Sequence, residues 1–374
     1  MEKLLPKAKQ TEFHWLKLAK KRQLTKTIFF LEFEIPQSLQ VHFQFEAGQY
    51  VTLKYLSMGQ WNQNDFSMTS APYEGKITLG IKINYEKSSA KDLFENLKVG
   101  DLLEVSEPKG RFTLVSKPHE FRTIIGFAGG IGITPLLSHF KNILRNEPRT
   151  RLFLFYGNKT KEDIAFKNEL DELMNSHSDR LKIYYFYSQE KIGNGLFEGR
   201  LNEKKVALII NQILLLDDTD EESTIWDAVD EVLICGKGEM IKSVANACYH
   251  HGIPKRNIHF ELFEEFNEDI YHVEKDYPLI QYIEVDFKLL HHQYSSKLKN
   301  NKVRLLQQLL IQGFPVPYSC KSGICGSCEC VLEEGEVELL ENEYLTEKEE
   351  KAGKILACMS VILSKNIKVN FDLN

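Results

Sequence analysis

The sequence predicts a multidomain chain: an antiparallel β-barrel, then an α/β domain on a parallel sheet, then a smaller α+β domain. Three observations carry this. Between Phe13 and Leu114, short strand-like runs are separated by turns bearing Gly48, Gly75 and Gly100. From Arg122 onward, continuous apolar runs alternate with amphipathic ones, the pattern of a parallel sheet covered on both faces. Near the end, three cysteines crowd one short loop. A chain of 374 residues has room for about two to three domains, and its 43% hydrophobic, 27% charged composition is that of an ordinary globular protein.

In order, residues 1–10 read as a polar tail. Strands are expected at TIFFLEFEI (27–35), QYVTLKY (49–55), KITLGIKI (76–83) and DLLEVSEP (101–108), with a helical interruption over 89–97 started by a capping Ser. Next come the strand RTIIGFAGG (122–130), the amphipathic PLLSHFKNILRN, the strand RLFLFYGN (151–158) and the helical AFKNELDELMNSH. KIYYFYS (182–188), VDEVLICG (229–236) and the helix EMIKSVANACYHHG complete the alternation. DDTDEES (217–223) reads as a charged surface insertion, and FEEFNEDIYHVEKD (263–276) as an acidic link. Beyond it, YIEVDFKLL reads as a strand and VRLLQQLLIQG as a short helix ending at Gly313. The domain limits are 11–118, 119–265 and 277–374, with 266–276 as linker.

The net charge of −6 and pI near 6.1 argue against nucleic acid as the main partner. MEKLLPKAKQ lacks the apolar core of a signal sequence, and the most apolar stretch, Val206–Leu216, is too short to cross a bilayer. A cytoplasmic, membrane-independent monomer is expected.

Cys320, Cys325 and Cys328 stand at Cys-x4-Cys-x2-Cys spacing, and Cys358 follows after 29 intervening residues. That is the plant-type 2Fe–2S arrangement. Three thiolates wrapping one small anionic cluster need a tight backbone with N–H groups aimed at the sulfurs, and Gly323 and Gly326 permit the close approach. Structural zinc favours paired knuckles instead, and a disulfide framework belongs to small secreted chains. Cys330 reads as a small apolar side chain on the strand leaving the loop.

Three further segments have chemical readings. NDFSMTSAP (64–72) fits a flavin platform, with Phe66 stacking on a planar ring and Ser67 donating to a ring nitrogen; ordinary packing explains it equally well. GGIGITP (129–135) joins a buried strand to a helix, where glycines let a pyrophosphate lie against helix N-terminal amides. ICGKGEM (234–240) ends another buried strand at Cys235 and Gly236, at the same sheet edge. Cys235 reads as an inert core thiol sooner than a nucleophile.

With FSMTS (66–70), EPKGRF (107–112), AGGIGITP (128–135), YGNKT (156–160), VLICGKGEMI (232–241) and the cysteine loop, the chain resembles a ferredoxin–NADP reductase-type flavoprotein fused to a C-terminal plant-type ferredoxin of β-grasp fold. It is similar to the reductase components of phenylacetyl-CoA epoxidase and other diiron or ring-hydroxylating oxygenases. The resemblance implies FAD, a 2Fe–2S cluster, NAD(P)H as electron donor and an oxygenase or other electron-acceptor protein as partner. It implies that Phe66 and Ser67 flank the flavin, that Met68, Thr69 and Ser70 continue the contact, and that Lys82 approaches its ribityl–phosphate side. Gly130, Gly132, Ile133 and Thr134 would cradle the nicotinamide dinucleotide, with Cys235 beside the nicotinamide and Phe263 as the aromatic cover of the flavin.

The chain departs from the family pattern where Asn64 replaces an Arg that pairs with the flavin pyrophosphate, which leaves FAD against FMN open. The phosphate-binding Gly-x-x-Ser segment is present only as EKSSAKD (86–92), with Ser88 or Ser89 as substitutes. Ser188 and Gln189 stand where many members carry Ser-Arg for a 2′-phosphate, so NADH against NADPH stays open; Lys159 or Arg200 could supply the charge. The expected role is conversion of two-electron to one-electron transfer. The acidic run 333–350 is a solvated face or a docking surface for a basic acceptor. A different class, a flavin-poor iron–sulfur redox sensor, also fits the weakened phosphate motifs.

Overall fold

The computed structural model describes residues 13–83, 88–213, 229–264, 266, 268, 270, 271, 277–318, 321, 323, 326–340, 342 and 344–372. The charged insertion 217–223 lies outside them. The chain divides into two compact units, Met1–Gly236 and Lys237–Asn374.

The first unit opens with six strands: β1 (Phe13–Gln23), β2 (Ile28–Glu34), β3 (Tyr50–Ser57), β4 (Gln60–Ser67), β5 (Lys76–Lys82) and β6 (Leu102–Ser106). They pair antiparallel in the order β4-β3-β6-β1-β2-β5, and a bridge between Met68 and Leu79 brings the two ends of the sheet together. The run TIFFLEFEI lacks clean alternation because both faces of β2 are covered. Phe29, Leu31 and Phe33 enter the barrel core, whereas Ile28 and Phe30 join the core of the following α/β region. Helix α1 (Ser89–Asn96) starts at Ser88, whose side chain accepts from Lys91 N. Lys21 Nζ donates to the carbonyls of Phe94 and Leu97 at its other end.

The parallel part follows: β7 (Arg122–Gly129), α2 (Ile133–Asn146), β8 (Thr150–Asn158), α3 (Lys167–Ser176), β9 (Leu181–Tyr187), α4 (Glu203–Ile213) and β10 (Glu231–Gly236). The strands lie in the order β10-β7-β8-β9, all pairs parallel. Because β7 has β8 on one side and β10 on the other, the chain reverses its winding there. The crevice at the carboxyl ends of β7 and β10 is the switch point where such sheets take ligands.

Helix α2 holds barrel and sheet together. Ser138 Oγ donates to Ser70 O at 2.6 Å, Lys141 Nζ donates to Thr69 O at 3.0 Å, and His139 Nε2 lies 2.7 Å from Phe112 O. Lys141, nearly buried, also pairs with Glu74 at 3.2 Å and Glu169 at 2.5 Å.

The second unit contains α5 (Gly238–His250), which packs on β11 (Ile258–Leu262). It continues with β12 (Gln281–Leu289), β13 (His292–Asn300), α6 (Leu305–Ile311), β14 (Glu329–Glu334), β15 (Val337–Leu339), α7 (Glu347–Lys351), β16 (Lys354–Leu356), β17 (Ser360–Ile362) and β18 (Asn366–Asn370). Five of these strands form a mixed sheet, β13-β12-β18-β14-β16, in which β12 and β18 run parallel; β15 and β17 pair separately. Leu305, Leu306 and Leu309 of α6 lie in one core with Ile283, Val285, Phe287 and Val369. A helix packed against a mixed sheet is the expected β-grasp. The acidic stretch read as a link contributes Ile270 and Tyr271 to the interior, and Asn246 Nδ2 donates to Ile270 O at 2.5 Å. No helix of the described residues is long and apolar enough to cross a membrane.

Candidate functional site

Strand β4 delivers the first group of site residues. Asn64 is exposed, Phe66 half-buried and Ser67 nearly buried at the strand's end. The Tyr55 hydroxyl lies 2.8 Å from Asn64 Oδ1 and 3.1 Å from Ser89 Oγ. Asn64, Ser89 and the capped start of α1 at Ser88 are thereby gathered around one phenol. Burial pushes the Tyr55 hydroxyl above its ordinary pKa, with the Asp92 carboxylate adding to the rise, so it stays a neutral hydrogen-bonding group. The segment after Ser67 turns inward. Met68 is wholly buried in the barrel core. Thr69 Oγ1 bonds Thr78 Oγ1 at 2.7 Å, and Ser70 Oγ accepts from Thr78 N at 3.2 Å. The side chains of Met68, Thr69 and Ser70 are therefore committed inside the protein, and Phe66 and Ser67 are the more accessible part of FSMTS. Lys82 closes β5 opposite Ile28, half-buried.

The second group meets at the switch point. A Cβ on Gly132 would stand 2.2 Å from Cys235 O and 2.8 Å from Gly236 N. Only a residue without a side chain lets the end of β10 press against the turn, which explains why GGIG and CG occur together. Gly130 adopts φ +54°, and its carbonyl accepts from the Tyr156 hydroxyl at 2.9 Å. Ile133 and Thr134 begin α2 with buried side chains, Thr134 Oγ1 donating to Ile131 O at 3.0 Å. What this turn can offer a ligand is its glycine main chain. The Cys235 thiol is buried in the core, in keeping with an inert packing role. At the neighbouring sheet edge Ser188 is exposed, its N–H donating to Asn158 O at 2.9 Å. The Asn158 amide is buried with neither polar atom hydrogen-bonded among the described residues, a group suited to a polar ligand or a water. Asn158 lies within the motif YGNKT, which gave it no role of its own, and no sequence pattern singled out Tyr55.

The third group is the cysteine loop in the second unit. Cys320 and Cys325 lie outside the described residues; Cys328 and Cys358 are both buried. Cys358 N–H donates to Cys328 Sγ at 3.4 Å, so the main chain at one cysteine meets the sulfur of another 30 positions away in sequence, and no disulfide joins the described cysteines. Lys321, Gly323 and Gly326 take φ of +53°, +78° and +66°, left-handed positions of the kind from which anion-binding main-chain nests are built. A Cβ on Gly326 would meet the Tyr344 ring at 2.2 Å. The buried Arg304 donates to Cys358 O at 3.3 Å and to Met359 Sδ at 3.1 Å. Two buried cysteines, an amide on sulfur and left-handed loop positions fit a cluster of iron and sulfide. Cys330 is completely buried on β14, and burial pushes its thiol well above its ordinary pKa, with Cys328 and Glu329 adding to the rise. It behaves as the packing residue expected. Phe263 follows β11 and is 43% exposed.

The acidic run 333–350 is not one uniform face. Glu333 pairs with Lys288 and Lys368, Glu334 with Lys368, Glu347 with Lys351 and Glu349 with Lys354. The run is divided among the end of β14, β15 and α7.

Comparison with known proteins finds three domains in the same order along the chain. Three family models match in succession: an oxidoreductase FAD-binding domain over residues 15–114, an oxidoreductase NAD-binding domain over 127–246, and a 2Fe-2S iron-sulfur cluster binding domain over 296–363. One component of the 1,2-phenylacetyl-CoA epoxidase of Escherichia coli (strain K12) is 28% identical over 97% of this chain and 98% of its own. The ferredoxin reductase component of the 3-ketosteroid-9-alpha-monooxygenase of Rhodococcus rhodochrous is 26% identical over 91% of each chain. Among solved structures, a ferredoxin NADP+ reductase from Neisseria gonorrhoeae shares the fold at TM-score 0.55 and 18% identity, over 68% of this chain and all of its own. The chain carries FAD-binding, NAD-binding and 2Fe–2S domains and is an oxidoreductase.

Proposed function

We propose that this chain is the reductase component of an oxygenase system, taking electrons from a nicotinamide dinucleotide and delivering them singly to an oxygenase partner. A bound flavin supplies the conversion of a two-electron hydride into single electrons, and the 2Fe–2S cluster holds one at a time. The observation that carries the reading is the succession of three domains in one chain, supported by similarity along nearly the full length to a subunit of 1,2-phenylacetyl-CoA epoxidase and to the ferredoxin reductase component of a monooxygenase.

Each residue group has a part in this reading. Phe66 stacks on the flavin ring and Ser67 Oγ hydrogen-bonds its edge, while Met68, Thr69 and Ser70 fix that edge through their main chain. Asn64, Ser88 and Ser89, steadied by Tyr55, take the phosphate end together with Lys82. Gly130 and Gly132 admit the dinucleotide pyrophosphate, Ile133 and Thr134 set the start of α2, and Gly236 leaves room beside Cys235 for the nicotinamide. Ser188 faces the adenosine ribose, and Phe263 covers the flavin. Cys320, Cys325, Cys328 and Cys358 ligate the two irons. The reading further takes the chain as a cytoplasmic monomer, where thiols stay reduced.

The test is anaerobic titration of flavin- and cluster-loaded protein with NADH and, separately, NADPH. Bleaching of the flavin band, followed by the signal of a reduced 2Fe–2S centre, is expected with at least one donor, along with catalytic reduction of cytochrome c. Protein that stays oxidised with both donors would overturn the proposal, and cluster bands without flavin would favour a sensor.

A further inference from the structure

The barrel carries a second cluster of ligand atoms that electron transfer leaves unused. His14 stands near the start of β1, opposite Val105 of β6; Glu107 follows the end of β6; and His42 lies in the turn before β3. His42 Nδ1 is 2.6 Å from Glu107 Oε1, and His14 Nε2 is 3.6 Å from the same oxygen. One ligand atom from each residue falls within 4.8 Å of the others. The two imidazoles lie with centroids 4.7 Å apart, and Phe43 packs edge-on against His14 at 5.6 Å, holding that ring in place. His14 Nε2 is buried and has no hydrogen-bond partner among the described residues, yet it points toward the carboxylate. A buried ring nitrogen beyond hydrogen-bond reach of a carboxylate and beside a second imidazole lacks what an ordinary packed histidine has.

We propose that His14, His42 and Glu107 form a binding site for a divalent transition metal, with zinc the first candidate. Two imidazoles and one carboxylate are a known zinc donor set, and tetrahedral ligands at about 2.0–2.1 Å from the metal sit roughly 3.3 Å apart. The observed 2.6 and 3.6 Å separations bracket that value, so closing on an ion needs shifts of tenths of an ångström for these pairs. His42 and Glu107 are part-exposed, with side-chain exposures of 42% and 35%, which gives the ion a path in and leaves water the fourth position. The metal would tie three separate segments of the barrel: the start of β1, the turn before β3 and the run EPKGRF. Lys109 of that run bridges Tyr50 at the start of β3.

The experiment incubates flavin- and cluster-loaded protein with zinc sulfate, desalts it, and measures zinc, iron and flavin per chain alongside the zinc K-edge absorption spectrum. One zinc per chain is expected, with only nitrogen and oxygen at about 2.0–2.1 Å and iron content unchanged. His42→Gln, a substitution at an exposed side chain, and separately His14→Gln should each weaken zinc binding at least 100-fold, roughly the upper range for losing even an outer-shell partner. The zinc-induced rise in melting temperature seen in the natural chain should be absent in both. Sulfur at about 2.3 Å would mean that zinc had entered the cysteine loop and would overturn the site. Equal zinc uptake by the natural chain and His42→Gln, or no uptake by the natural chain, would overturn it too.

Discussion

At the scale of single residues, the missing side chain of Gly132 is what lets the turn after β7 close against the end of β10. Adding one methyl there places a carbon 2.2 Å from Cys235 O, and neither β10 nor the turn can yield without opening the switch point. Gly132→Ala should therefore slow flavin reduction by the nicotinamide at least about 10-fold and destabilise the fold by about 1–3 kcal/mol, with flavin content unchanged. Stopped-flow reduction and a melting curve check it, and a variant with natural rates would remove Gly132 from the site. Asn64 offers the opposite kind of change. If this position faces the flavin pyrophosphate, an Arg here would add a charge-assisted hydrogen bond worth about 1.5–3 kcal/mol. Asn64→Arg should tighten FAD about 10- to 100-fold, measured by flavin release on dilution. An unchanged FAD affinity would place the phosphates elsewhere. Asn64's companion Tyr55 was not legible in the sequence, and Asn158 was present in the motif YGNKT but its unpartnered burial was not. Tyr55 faces Asn62 across the β3–β4 ladder and reaches Asn64 on the diagonal, a relation fixed by register and not by spacing. The cysteine pattern stood out in the sequence because three of them crowd nine positions, Cys320 to Cys328, where spacing along the chain limits how far apart they can be.

At the scale of elements, the periodicities located most strands and helices of the first unit, since each has one dominant apolar pattern. β2 was found but its reason was not: a run buried on both faces looks the same whether it lies in a sheet between helices or in a barrel wall beside another domain. The strands β15 to β18, each five residues or fewer, carried too few positions to show alternation. The load on α2 was also hidden, because an amphipathic pattern does not tell which of its polar residues, such as Ser138, His139 and Lys141, are buried. Lys141→Met tests that load. It removes the donor to Thr69 O and leaves Glu74 and Glu169 without their partner. A buried pair broken on one side costs about 3–5 kcal/mol, and the partial exposure of the two glutamates brings this to roughly 2–3. Calorimetry should show a lower melting transition, and flavin retention should fall with it because Thr69 lies two residues beyond Ser67. A transition unchanged within about 0.5 kcal/mol would mean that α2 is held by its apolar face alone.

At the scale of the whole molecule, the division of labour predicts which activities separate. The residues proposed for flavin and nucleotide, other than Phe263, lie in the first unit, whereas the proposed cluster ligands Cys328 and Cys358 lie in the second. Removing one ligand should cost the cluster without touching hydride acceptance. Cys358→Ser is therefore expected to lose iron and acid-labile sulfide, to keep flavin, and to keep NAD(P)H-dependent reduction of ferricyanide within about 2-fold. Reduction of the oxygenase partner should fall by orders of magnitude. Arg304 refines the same argument. A guanidinium held on Cys358 O favours added negative charge nearby, so Arg304→Gln should make the cluster a stronger reductant, by roughly tens of millivolts. The shift can be read by redox titration of the reduced-cluster signal. If Cys358→Ser kept full electron delivery to the partner, the partner would be drawing electrons from the flavin directly, and the cluster would stand outside the route.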